Sequence, residues 1–119
     1  MSGNDLKSMA RHAAQPEPVP TGRGALVTPN LIAELSAGYE FSPSLPTIIN
    51  GLRSRDDFGR AKYGDGLRCN NGRDPVVDAW QEALDLMQYI KQMAMEGRSV
   101  PPCLRECVSI AADMLEARK

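Results

Sequence analysis

The sequence predicts an all-α fold, a small helical domain built on an antiparallel helix hairpin behind a disordered N-terminal tail. Three observations predict it. Residues 75–97 and 102–117 repeat apolar side chains every three or four positions, the period of a helix with one buried face. Thr28-Pro29 and Asp74-Pro75 each set a capping residue before a proline, the pattern of a helix start. No segment alternates apolar and polar residues as a half-buried strand does.

Residues 1–25 read as the tail and 26–119 as the helical domain. Within the tail, prolines 16, 18 and 20 alternate with other residues, which forbids helix and favours an extended chain. Such a stretch serves either as a linker or as a segment that orders on a partner. A first short helix follows the Thr28 cap, with Leu31, Ile32 and Leu35 at helical spacing and Gly38 at its end. A second runs from residue 46 to about residue 61, with Ile48, Ile49 and Leu52 on its apolar side and Phe58 extending it. Residues 63–73 hold three glycines and two asparagines, which tolerate positive φ and make a loop.

The third helix starts at the Asp74 cap and ends near Gly97. Its apolar face is Val76, Ala79, Trp80, Ala83, Leu84, Met87, Ile90 and Ala94. After the Pro101-Pro102 break, the last helix carries Leu104, Cys107, Val108, Ala111, Met114 and Leu115 on one stripe. The two long helices, joined by a short connection, are expected to pair as the antiparallel hairpin.

At 119 residues the chain has room for one domain with a small core, so a homo-oligomer is expected. The net charge of −1 gives no electrostatic reason for nucleic acid or an anionic membrane as the main partner. No apolar run approaches the roughly 20 residues of a membrane span, and residues 1–14 lack the apolar stretch of a secretory signal. Three cysteines without a disulfide framework point to a reducing cytoplasm, the host's if the chain is phage-encoded. The sole histidine, His12, lies in the expected tail. Histidine-based nucleophilic catalysis and histidine metal sites therefore drop out, leaving carboxylates, arginine, lysine and tyrosine for chemistry.

Two constellations remain. Asp78, Glu82 and Asp85 fall within about 60° of one another on the third helix, a stripe that Tyr89 continues. Clustered carboxylates repel, so a bound cation such as magnesium or basic side chains from elsewhere would relieve them. Equally, the stripe lies opposite the apolar face and is satisfied by water, with Asp78 helped by the helix dipole. Tyr89 would stack on a base or cover a neighbouring helix. The second constellation is the loop, where Arg60, Lys62, Tyr63, Arg68, Asn71 and Arg73 precede a helix N-terminus. Free N–H groups and guanidiniums there would hold a phosphate. Otherwise the Asn-Gly pair only turns the chain and the arginines neutralise the acidic stripe.

Arg60-x-Lys62-Tyr63-Gly64, Asn71-Gly72-Arg73-Asp74 and Asp78-x-x-x-Glu82-x-x-Asp85-x-x-x-Tyr89 together resemble a small helical module of phage and bacterial proteins. The stretch from Glu82 to Tyr89 also resembles the second half of the metal motif of MazG-like all-α nucleoside triphosphate pyrophosphohydrolases. That resemblance implies magnesium on Glu82 and Asp85, positioning a water against a triphosphate. The family's first half, Glu-Glu-x-x-Glu, has no counterpart, since Asp56-Asp57 is the only acidic pair upstream. The implied metal motif is thus incomplete and no catalytic side chain is assigned. Three functions stay open. One is a magnesium-dependent pyrophosphohydrolase, with Asp78, Glu82 and Asp85 on the metal, Lys62 and Arg73 on the phosphates and Tyr89 at the base. The others are a non-enzymatic protein that binds or sequesters a nucleotide, and a protein-interaction module.

Overall fold

The computed structural model describes residues 15–18, 22–38 and 42–117. The expected tail lies outside the described residues at 1–14 and 19–21. The described residues form four helices, α1 (Val27–Gly38), α2 (Leu45–Tyr63), α3 (Pro75–Met95) and α4 (Leu104–Ala117), and no strand, so the all-α class holds. None of these helices is long and apolar enough to cross a membrane. The chain divides into two compact units, Glu17–Arg73 and a second made of Met1–Pro16 with Asp74–Lys119.

In the Glu17–Arg73 unit, α1 packs on α2. Residues just before α1 pair with the loop after α2: Leu26 and Arg68 form an isolated antiparallel bridge. The Cys69 N–H donates to the Ala25 carbonyl at 3.0 Å and the Val27 N–H to the Leu67 carbonyl at 2.9 Å. The second bond explains why α1 begins at Val27, ahead of the expected Thr28 cap. The Leu67 carbonyl satisfies one of the N–H groups that a helix start leaves open, and Asn30 Nδ2 returns to the Leu26 carbonyl at 2.7 Å. Gly24 makes this pairing possible. Its φ is +81°, and a Cβ there would run into the Cys69 carbonyl.

α2 extends to Tyr63 rather than Ala61, where the Gly64 N–H caps the Arg60 carbonyl at 2.9 Å. Its expected apolar side is only half realised. Ile49 and Leu52 are half-buried, whereas Ile48 and Phe58 are 51% and 58% exposed. The Arg55 guanidinium lies 5.4 Å from the Phe58 ring centre, a cation–π contact that an outward-facing aromatic permits. No described residue of this unit is fully buried.

In the other unit, α3 starts as the sequence predicts: Asp74 Oδ1 accepts the Val76 N–H at 2.9 Å and Pro75 opens the helix. It ends in a left-handed Gly97 (φ +75°). There Arg98 N–H donates to the Met93 carbonyl and Gly97 N–H to the Ala94 carbonyl, the paired bonds of a Schellman cap. α4 begins at Leu104 rather than residue 102, because Cys103 N–H turns back to the Pro101 carbonyl at 2.9 Å.

α3 and α4 pack on one another and hold every fully buried side chain among the described residues: Val77, Ala83, Ile90, Cys107 and Ala111. Three of the five are small, which lets two helix backbones approach closely. Of the larger members of the expected α4 stripe, Met114 and Leu115 are half-buried, whereas Leu104 and Val108 stay about half exposed. Val77 departs from the expected face of α3. It sits roughly 120° round the helix from Ala83, yet is 5% exposed, while Ala94 is exposed.

Candidate functional site

The boundary between the two units falls between Arg73 and Asp74, so the basic loop and the carboxylate helix belong to different units. Each half has its own geometry.

On α3, Glu82 is exposed, Asp85 half-exposed and Tyr89 61% exposed. Asp78 has a partner that the sequence does not signal. Gln15 Nε2 donates to Asp78 Oδ1 at 2.8 Å and to the Asp74 carbonyl at 3.1 Å, while Gln15 Oε1 accepts the Asp74 N–H at 2.6 Å. One carboxamide thus pairs with both backbone groups of the α3 cap and with the first carboxylate of the stripe. Among the described residues, no three His, Cys, Asp or Glu side chains gather as a metal-holding group. Glu82 and Asp85 lie one turn apart on the same stripe. Magnesium takes one or two carboxylates and completes its shell with water or phosphate, so this pair suits the ion in donor type.

In the loop, the cations are already engaged. Arg60 Nε holds Asp56 Oδ2 at 3.1 Å, and a Cβ on Gly66 would meet the Arg60 guanidinium, which therefore lies against the loop backbone. Lys62 Nζ sits 5.0 Å from the centre of the Tyr63 ring. Asn71 Oδ1 accepts the Arg73 N–H at 3.1 Å, a side-chain turn that shapes the chain. Arg68 Nε bonds Asp65 Oδ2 at 2.8 Å and its Nη1 bonds the Gly24 carbonyl at 2.9 Å.

Asp65 is the residue that sequence reasoning passed over. Besides Arg68 it accepts the Gly66 N–H at 2.9 Å and the Gly22 N–H at 3.3 Å. The hydrogen bond from Arg68, set against partial desolvation, holds its carboxyl below the usual carboxylate range. The Asp65-x-x-Arg68 spacing was its only sequence signal. Gln15 had none, because its partners are 59 and 63 residues away.

The cysteines differ in setting. Cys69 is exposed, Cys103 half-buried and Cys107 buried, and none is in a disulfide. Burial pushes the Cys107 thiol up, and the neighbouring Cys103 pushes it further.

No family model, no curated protein and no solved structure matches this chain.

Proposed function

We propose that the chain is a helical protein-interaction module that works through the outward faces of α3 and α4. The supporting observation is the large apolar side chains those faces leave in water. Leu86, Tyr89 and Met95 on α3 and Leu104, Val108 and Ile110 on α4 are all about half exposed or more. Single exposed apolar residues are ordinary, but Leu86 with Tyr89, three apart on α3, and Leu104 with Val108, four apart on α4, are each neighbours on one helix side, and association would cover such pairs. Tyr89 adds an aromatic body with a polar tip, a residue type enriched at interfaces. It continues the Glu82 and Asp85 stripe, so a partner segment that mixes basic and apolar residues fits this face. A second copy of the chain would cover the same residues.

The engagement of Arg60 and Arg68 with Asp56 and Asp65 supports this reading over a phosphate clamp, since an incoming phosphate would have to displace a carboxylate from each. One observation favours a second reading, a magnesium-dependent nucleotide-binding or pyrophosphohydrolase function. Glu82, Asp85 and Tyr89 share one accessible stripe, which would present two hard ligands beside a stacking ring.

The deciding experiment compares the wild-type chain with a Leu86→Asp, Tyr89→Ser double variant in cross-linking and affinity capture. The variant should keep its helical circular dichroism and lose its captured partner or its self-association. Equal capture by both proteins would refute the interaction surface. Magnesium-dependent pyrophosphate release from a nucleoside triphosphate, abolished in Glu82→Ala, would replace this reading with the enzymatic one.

A further inference from the structure

Where α3 hands over to α4, the chain bounds a cleft of about 500 Å3 within the Asp74–Lys119 unit. The end of α3 lines one side with Ile90, which is 8% exposed, and the small Ala94. Val100-Pro101-Pro102 and Leu104, the first residue of α4, supply the rest of its apolar lining.

The shape of this cleft is set in advance. The Gly97 N–H holds the Ala94 carbonyl at 3.1 Å where α3 stops, and the Cys103 N–H returns to the Pro101 carbonyl at 2.9 Å where α4 is about to start. Between these two points, prolines 101 and 102 have φ fixed by their rings. A lining held in this way loses little conformational freedom when a ligand enters.

The charge on the cleft has one sign. Lys91 and Arg105 line it, and among the described residues no acid does. Both cations are exposed, and neither has an ion-pair or hydrogen-bond partner among the described residues. Arg60 and Arg68 differ in this respect, since Asp56 and Asp65 already occupy them. An anion therefore reaches Lys91 and Arg105 without displacing a carboxylate.

Size narrows the ligand. The volume lies within the roughly 300–1,000 Å3 of small-molecule sites. A protein partner covers roughly 800 Å2 on each side, far more than these few residues offer. An aliphatic body would cover Ile90, Ala94 and Leu104, while its carboxylate accepts charge-assisted N–H bonds from Lys91 and Arg105. We propose that this cleft binds a small anionic amphiphile, an aliphatic carboxylate, with decanoate as the probe. The site shares only Leu104 with the association surface and does not depend on it.

The test titrates the full-length chain with decanoate, below its micelle concentration, by calorimetry and by amide chemical shifts. Decanol and decyltrimethylammonium serve as the neutral and cationic comparisons. The expected result is a single saturable site with shifts gathered at Ile90, Lys91, Val100 and Leu104, and a preference for decanoate over both comparisons. A Lys91→Gln, Arg105→Gln double variant should weaken decanoate about tenfold for each charge-assisted bond lost and leave decanol unchanged. Ala94→Phe, at an exposed position where folding tolerates it, should fill the cleft and abolish binding of decanoate. The Leu86→Asp, Tyr89→Ser variant should bind as the wild type does, so failure of the association surface leaves this site standing. Equal affinity for the three amphiphiles, full affinity in the double variant, or shifts that miss the cleft would overturn the site. So would binding to anionic phospholipid vesicles with none to free decanoate.

Discussion

Asp65 and Gly24 do most at the scale of the single residue. Asp65 gathers Arg68 and the N–H groups of Gly22 and Gly66, tying the chain before α1 to the loop after α2. The Arg68 guanidinium holds its carboxyl below the usual carboxylate range in the folded chain, so the ionised form is favoured by folding. The stabilisation is therefore complete above the unfolded pKa and is lost as pH falls through the folded one. A urea midpoint series from pH 6 downward should show stability falling below about pH 4. Asp65→Asn should flatten that fall while lowering the midpoint at pH 6. A wild-type midpoint that does not change in this window would remove Asp65 from the account. Gly24 tests the same junction from the backbone side. Gly24→Ala puts a methyl against the Cys69 carbonyl at a φ that L residues rarely adopt. It should cost about 1–3 kcal/mol, with faster hydrogen exchange at the Cys69 and Val27 amides.

At the scale of the element, α3 shows how far local sequence carries a helix. The Asp74 cap, Pro75 and the Gly97 stop were all legible, because each acts through the backbone within a few residues of itself. The Gln15 clamp was not, since a contact across 59 residues leaves no local pattern. Gln15→Ala removes the bonds of Gln15 to the Asp74 N–H and carbonyl and to the Asp78 carboxylate and should cost about 1–2 kcal/mol. Chemical denaturation would read this as a lower midpoint at unchanged slope. Asp74→Ala should cost a similar amount through the cap itself, and the two losses should not add, because both variants act on the same first turn. Strict additivity would mean that Gln15 and the cap are energetically separate. α2 teaches the opposite lesson. Its Ile48 fits the helical period, but a period identifies a face and cannot say whether anything covers it.

At the scale of the molecule, the fully buried core among the described residues is confined to α3 and α4. If the exposed apolar side chains of these helices are a working surface, substitution there should alter association more than folding. Tyr89→Ala should change the unfolding midpoint by less than about 0.5 kcal/mol while shifting the sedimentation profile toward the monomer at equal concentration. A monomeric wild-type chain that captures no partner would count against the surface.

The helical class, the four helices and most of their ends were decided by the sequence, because periodicity, caps and stops act over one or two turns. The positions of Glu82, Asp85 and Tyr89 on one accessible stripe of α3 follow from the same period. Tertiary structure alone decided which side chains are spoken for. Asp78 answers to Gln15, and Arg68 bridges Asp65 and the Gly24 carbonyl. Cys107 is buried while Leu104 and Val108 stay about half exposed. Charge and hydropathy state what a residue can pair with. The partner itself is set by which distant segments the fold brings within a hydrogen-bond length.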